Sequence, residues 1–154
     1  MAAVNTLAFD IDIQRIDERP DNHFQVPRLL VDGQVVADFS TFAVDLKELV
    51  ASQSGDGERF ILTCWCGAPD CARIDVGIGV SHRGGQVHWQ PSFPLRRGPL
   101  VFQRQQYDAA VAQLLARIPE VHAQAEAEGR PLGLVPYGSD DFLQPPSLQP
   151  VSQG

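Results

Sequence analysis

Apolar and polar residues alternate along this chain first with a period of two and later with a period near that of an α-helix. Leu7, Phe9, Ile11 and Ile13 alternate with Ala8, Asp10, Asp12 and Gln14, the pattern of a strand with one buried face. A polar break follows, with Pro20 and Asp21-Asn22 as turn chemistry. Asp32-Gly33 then stands between the apolar runs RLLV and QVVADF. That pair predicts a hairpin with strands near 28–31 and 34–39, because a type I′ turn needs positive φ at both central positions. Asp45 with Glu48 three residues on resembles a capping box, and Leu46, Leu49 and Val50 share one face of a short helix that Gly55 stops.

Beyond it, ERFILTCWC is strand-like, and RIDVGIGVSH alternates with Ile74, Val76, Ile78 and Val80 on one face. Gly84-Gly85 predicts a second hairpin into QVHWQ, which sets His88 opposite Ser81 and puts Trp89 on the face of Val80. From about 101 to 128 the pattern becomes helical, with Tyr107, Val111, Leu114, Leu115 and Ile118 along one stripe. Pro119 either ends that helix or opens a second one, and Gly129 is a natural C-cap. Residues 138–154 hold three prolines and no apolar periodicity, which predicts a mobile Pro-rich tail.

Together these elements predict an α+β fold. A mainly antiparallel sheet of about six strands should carry the long C-terminal helix on its apolar face and the short helix at an edge. Residues 1–137 are expected to form the single domain. Ile74, Val76, Ile78, Val80, Trp89, Val111, Leu114, Leu115 and Ile118 should be buried, since each element needs the other's apolar face.

Composition narrows the picture. With 154 residues, 44% hydrophobic and 20% charged, the chain is no fibrous repeat, disordered chain or disulfide-dense miniprotein. No apolar run approaches a membrane span and no basic stretch precedes an apolar core at the start, so a cytoplasmic protein without membrane contact is expected. Eleven of the 12 basic residues are arginine, which reads as a GC-rich bacterial genome.

The net charge of −7 is unevenly spread. Residues 1–75 carry 13 acids against 6 bases, and residues 108–154 carry 6 against 2. Residues 76–107 carry four arginines and no acid. An acidic whole argues against general nucleic-acid binding, since phosphates would be repelled. The basic block leaves room for an anion or partner site at Arg83, His88, Arg96 and Arg97, with Arg96-Arg97 placed just ahead of the long helix.

The densest chemistry is Cys64-Trp-Cys66-Gly-Ala-Pro-Asp-Cys71. Three thiols and a glycine after the second resemble a zinc knuckle, although a knuckle has two residues between its cysteines and this segment has one. Read as a four-residue hairpin loop, Gly67–Asp70 pairs Cys66 with Cys71 and Cys64 with Arg73, and puts all three thiols on one face. A fourth ligand from His88 would then lie roughly 33 Å along the strand, and His82 would lie on the other face. The expectation is three structural cysteines and no cofactor. Zinc on Cys64, Cys66 and Cys71 is the alternative, and a Cys66–Cys71 disulfide or thiol redox site is a further one.

Other chemistry is sparse. The chain has no dinucleotide, P-loop, zincin or nucleophile-elbow motif, and no spacing unites a serine, histidine and aspartate. Asp10 and Asp12 share a strand face, where lone carboxylates are usually solvated.

The segment TCWCGAPDCARI, followed by VGIGVSH and VHW, resembles an uncharacterised bacterial family of small α+β proteins over about residues 60–90. The resemblance implies that the cysteine segment is a family feature and carries no activity with it. Function is then expected in one of two classes. The first is a non-enzymatic acidic binding module, of inhibitor or immunity type, that masks a basic protein partner. The second is a small thiol-redox or zinc-binding domain centred on Cys64, Cys66 and Cys71.

Overall fold

The computed structural model describes residues 4–15 and 23–145. The polar break 16–22 and the chain's last nine residues, 146–154, lie outside the described residues.

The first strand, β1 (Leu7–Arg15), pairs antiparallel with β2 (His23–Val31), setting Leu7 opposite Val31 and Ile11 opposite Pro27. Asp32 and Gly33 take φ of 54° and 81° and turn β2 into the short β3 (Gln34–Val35). The turn is the one expected. The second strand of the hairpin is shorter than the apolar run suggested, two residues instead of six.

Strand β4 (Phe42–Val44) leads into helix α1 (Leu46–Ala51). Asp45 caps α1, its carboxylate accepting from the N–H groups of Lys47 and Glu48. Glu48 does not complete a capping box. Its carboxylate accepts instead from the Phe60 N–H at 3.0 Å, while the Asp45 N–H donates to the Ile61 carbonyl at 2.8 Å.

Those two bonds split the strand expected from ERFILTCWC. It becomes β5 (Gly57–Arg59), which joins β7, and β6 (Leu62–Cys64), which pairs with β4. After a 3-10 turn (Pro69–Ala72), β7 (Ile78–Arg83) and β8 (Gln86–Gln90) form the second expected hairpin, with His88 opposite Ser81. Strand β9 (Leu100–Gln103) runs straight into helix α2 (Arg104–Ala127). Strand β10 (Gly133–Leu134) adds in parallel to β2.

The fold is therefore mixed α and β with antiparallel sheets, but not one six-stranded sheet. Among the described residues ten strands fall into a β1-β2-β10 sheet with β3 attached, a β5-β7-β8-β9 sheet and the β4-β6 pair.

Helix α2 continues through Pro119, which is buried in its interior. A proline there removes one helical bond, and packing on both sides outweighs it. Ile118 is fully buried, and Gln25 of β2 donates to the Ile118 carbonyl at 3.3 Å. The helix closes on Gly129 at φ 73°, with Gly129 N–H on the Glu126 carbonyl and Arg130 N–H on the Ala125 carbonyl, both at 2.9 Å.

Seven of the nine residues expected in the core are buried. Val76 is 56% exposed, because residues 74–77 form no strand and so no alternation holds there. Leu115 is only partly buried, packed against the core from its rim. The core centres on Trp89, Phe102 and Tyr107, whose rings stand 5.1 to 6.0 Å apart. Leu46 and Leu49 of α1 are also fully buried, so the short helix contributes to this core and is no edge ornament.

The expected tail begins with ordered chain. Asp140–Leu143 form a 3-10 turn, and Phe142 and Leu143 pack against the core, so the near end of that segment belongs to the fold.

Candidate metal centre

The three cysteines sit on consecutive turns, not on a two-stranded hairpin. Cys64 ends β6, where it pairs with Phe42. A tight turn follows, closed by the Gly67 N–H on the Cys64 carbonyl at 2.9 Å. Gly67 takes φ of 90°, and a β-carbon there would stand 3.2 Å from the Tyr137 carbonyl oxygen, so the position requires glycine twice over. Pro69 then opens the 3-10 turn that brings Cys71 back, with the Cys71 N–H on the Ala68 carbonyl at 3.2 Å. Arg73 ends it in the left-handed region at φ 59°.

Trp65 anchors the loop from between the cysteines. Its indole N–H donates to the carbonyls of Phe39 and Phe42, at 3.1 Å each. Its own carbonyl accepts from the Tyr137 N–H at 2.8 Å. These bonds pin the cysteine turns to two other parts of the chain, so the thiols converge on a supported frame.

The sulfurs of Cys64, Cys66 and Cys71 all lie within 4.8 Å of one another. The sulfurs of a tetrahedral zinc–thiolate site stand roughly 3.8 Å apart, as Zn–S bonds of about 2.3 Å dictate. Small side-chain rotations close that difference. All three cysteines are free, Cys66 and Cys71 are exposed, and Cys64 is half-buried. The Ala68 N–H holds the Cys66 thiol below its ordinary range, with the other two sulfurs adding to the effect. The same crowding pushes Cys71 up to about 11, because its proton is held between Cys64 and Cys66. Among the described residues no histidine or carboxylate joins the group.

Sequence reasoning brought the right three residues together on the wrong scaffold. The cross-strand pairs Cys66–Cys71 and Cys64–Arg73 do not form, since the segment turns twice instead of pairing with itself. With turns in place of that hairpin, distance along a strand is not what separates the histidines from the thiols. Their absence from the group has other causes, as His82 is engaged elsewhere and His88 lies on β8.

The basic residues 83–97 sit on different elements of the fold. Arg97 donates to the Asp32 carboxylate at 3.0 Å and helps fix the tip of the first hairpin. Strand β9 intervenes between Arg96-Arg97 and α2, so the pair does not flank the helix start. Arg83 and His88 share the outer face of the β7–β8 hairpin, opposite the buried Val80, Val87 and Trp89. Arg96 is exposed in the loop between β8 and β9.

A polar chain with no signal in the sequence runs from the exposed Asp56 inward to the buried Ser52 and Tyr107. His82 bonds Asp56 through ring Nδ1 and its backbone N–H, both at 2.9 Å, and Nε2 meets the Ser52 carbonyl at 2.9 Å. The Ser52 hydroxyl donates to the Leu49 carbonyl and bonds the Tyr107 hydroxyl. Serine, histidine and aspartate do meet here, but the hydroxyl is buried and bonds Leu49 and Tyr107, while the imidazole meets the Ser52 backbone carbonyl. The arrangement is structural and not a nucleophilic triad.

A comparison of the chain with protein-family models, curated proteins and solved structures finds no match.

Proposed function

We propose that this chain is a small metal-binding protein whose Cys64, Cys66 and Cys71 hold one zinc-class ion through three thiolates. The observation that carries this reading is the convergence of three sulfurs within 4.8 Å while two of them stay exposed. A cysteine retained for packing is normally buried and behaves as a small apolar side chain. Cys66 and Cys71 are exposed. Thiolate is the ligand form, and an N–H aimed at Cys66 already favours it.

Sealed structural zinc sites close with four protein ligands, whereas open sites keep a position for another group. Three thiolates at the surface belong with the second kind. The fourth position is then open to water or an incoming ligand, which suits capture and release of the metal. Binding displaces the thiol protons, so uptake strengthens as pH rises.

Cobalt(II) titration of the reduced full chain tests the reading. A one-to-one endpoint with sulfur-to-cobalt charge-transfer absorption is expected, and Cys71→Ser should lose it. Absence of that absorption in the wild-type chain would contradict the reading.

A further inference from the structure

Strand β1 pairs with β2 along one side only. The Asp32 N–H donates to the Thr6 carbonyl at 2.9 Å, which makes Leu7 and Val31 a pair that exchanges no ladder bonds. The peptide groups of Leu7, Phe9, Ile11 and Ile13 therefore point away from β2. Opposite Ile11 stands Pro27, a residue tolerated because its missing N–H lies off this ladder.

At Leu7 the outward edge is already filled. The Gln106 side-chain amide of α2 accepts from the Leu7 N–H at 2.9 Å and donates to the Leu7 carbonyl. One amide bonding both groups of one residue does what a neighbouring strand would do. At Phe9, Ile11 and Ile13 no hydrogen bond reaches the outward N–H among the described residues.

Between this edge and α2 runs a groove of about 850 Å³, lined by Phe9, Ile11 and Ile13 from the strand and Ala109, Gln113 and Val121 from the helix. Side chains at alternate positions of an added strand would enter it. The cations on its helical side are already paired, Arg117 with Glu120 and Arg130 with Glu128.

The other face of β1 chooses the occupant. Asp10 is paired with Arg28 at 2.7 Å, whereas Asp12 bonds the Gln14 amide at 3.1 Å and feels Arg28 only as a neighbouring charge, with no direct ion pair among the described residues. Two copies of β1 pairing antiparallel through Ile11 would set Asp10 of one against Asp12 of the other, and like charges directly opposite destabilise a ladder. A strand with basic residues on that face is complementary, and the chain's net charge of −7 favours its approach.

We infer that the free edge of β1 is a strand-addition site for an extended partner segment that alternates apolar residues with lysine or arginine. Its apolar side chains fill the groove under α2, and its basic ones lie beside Asp12. This gives the acidic-module reading a surface, and it does not depend on the cysteine centre.

An eight-residue synthetic peptide of alternating valine and lysine, added to the isotope-labelled full chain, tests the inference by amide hydrogen exchange. The Phe9, Ile11 and Ile13 amides should gain protection, and binding should weaken as salt rises. Ile13→Pro removes an outward N–H without breaking the β1–β2 ladder, and should weaken binding roughly three- to tenfold, the worth of one backbone hydrogen bond. Asp12→Lys should weaken it too. The same peptide N-methylated at alternate residues should not bind, which keeps the test intact if a variant fails to fold. Equal binding of the methylated peptide, no protection at those three amides, or self-association of the free chain through β1 would overturn the inference.

Discussion

His82 holds Asp56 twice, through its backbone N–H and through ring Nδ1, both at 2.9 Å. These bonds and the nearby positive charge keep the Asp56 carboxyl below its ordinary range. A carboxyl whose folded value is depressed supports the fold above its unfolded value, and that support is lost as pH falls through the folded one. Asp32 shares the sign, held down by the Thr6 N–H, the Asn5 amide and Arg97. Through these two carboxyls stability should decline in the acid range, below about 4, while Asp45, pushed up by burial, works against them there. Carboxyl titration by NMR on His82→Ala should move Asp56 back up toward its ordinary range, part of the way, because the backbone donor remains. An unchanged Asp56 would show that the ring contact does not form in solution.

Ile118 and Val76 separate the observed core from the expected one. Ile118 has no accessible surface, while Val76 is 56% exposed. Ile118→Ala should cost about 2–5 kcal/mol in urea unfolding, and Val76→Ala should stay within roughly 0.5 kcal/mol. Similar costs at both positions would return Val76 to a strand and refute the turn geometry after Arg73.

Gly67 is a tightly constrained point in the backbone of the cysteine cluster. Gly67→Ala must hold a side chain at φ 90° and place its β-carbon 3.2 Å from the Tyr137 carbonyl. A loss of about 1–3 kcal/mol is expected, from left-handed strain in a turn that other contacts fix. Metal affinity should fall with it, since the turn sets the spacing of Cys64 and Cys66. Thermal unfolding and a zinc-chelator competition read the two effects separately.

Local signals were legible in the sequence and long-range ones were not. Asp32-Gly33 and Gly84-Gly85 both adopt the positive φ values their turns demand, and the register Ser81 to His88 follows directly. Gly129 caps α2 for the same reason. The strand through Phe60 breaks because Glu48, 12 residues earlier, takes its N–H, and no periodicity reports such a bond. The cysteine segment was misread as a hairpin because Pro69-Asp70 suits a type I turn as well as the 3-10 turn it opens. Pro119 reads as an end or a restart of the helix, yet the helix runs straight through it, with Ile118 fully buried beside it. The three thiols were identified from spacing alone. Their exposure, on which the proposed ligation rests, came only with the fold.

Elemental analysis with a thiol count, on wild type and Cys66→Ser, tests the proposed metal centre most directly. The full chain, purified reduced and loaded with zinc, should hold one zinc per chain with its thiols shielded from titration. Cys66→Ser should hold none while keeping the wild-type circular dichroism spectrum. Three freely titrating thiols and no retained zinc in the wild type would contradict the account.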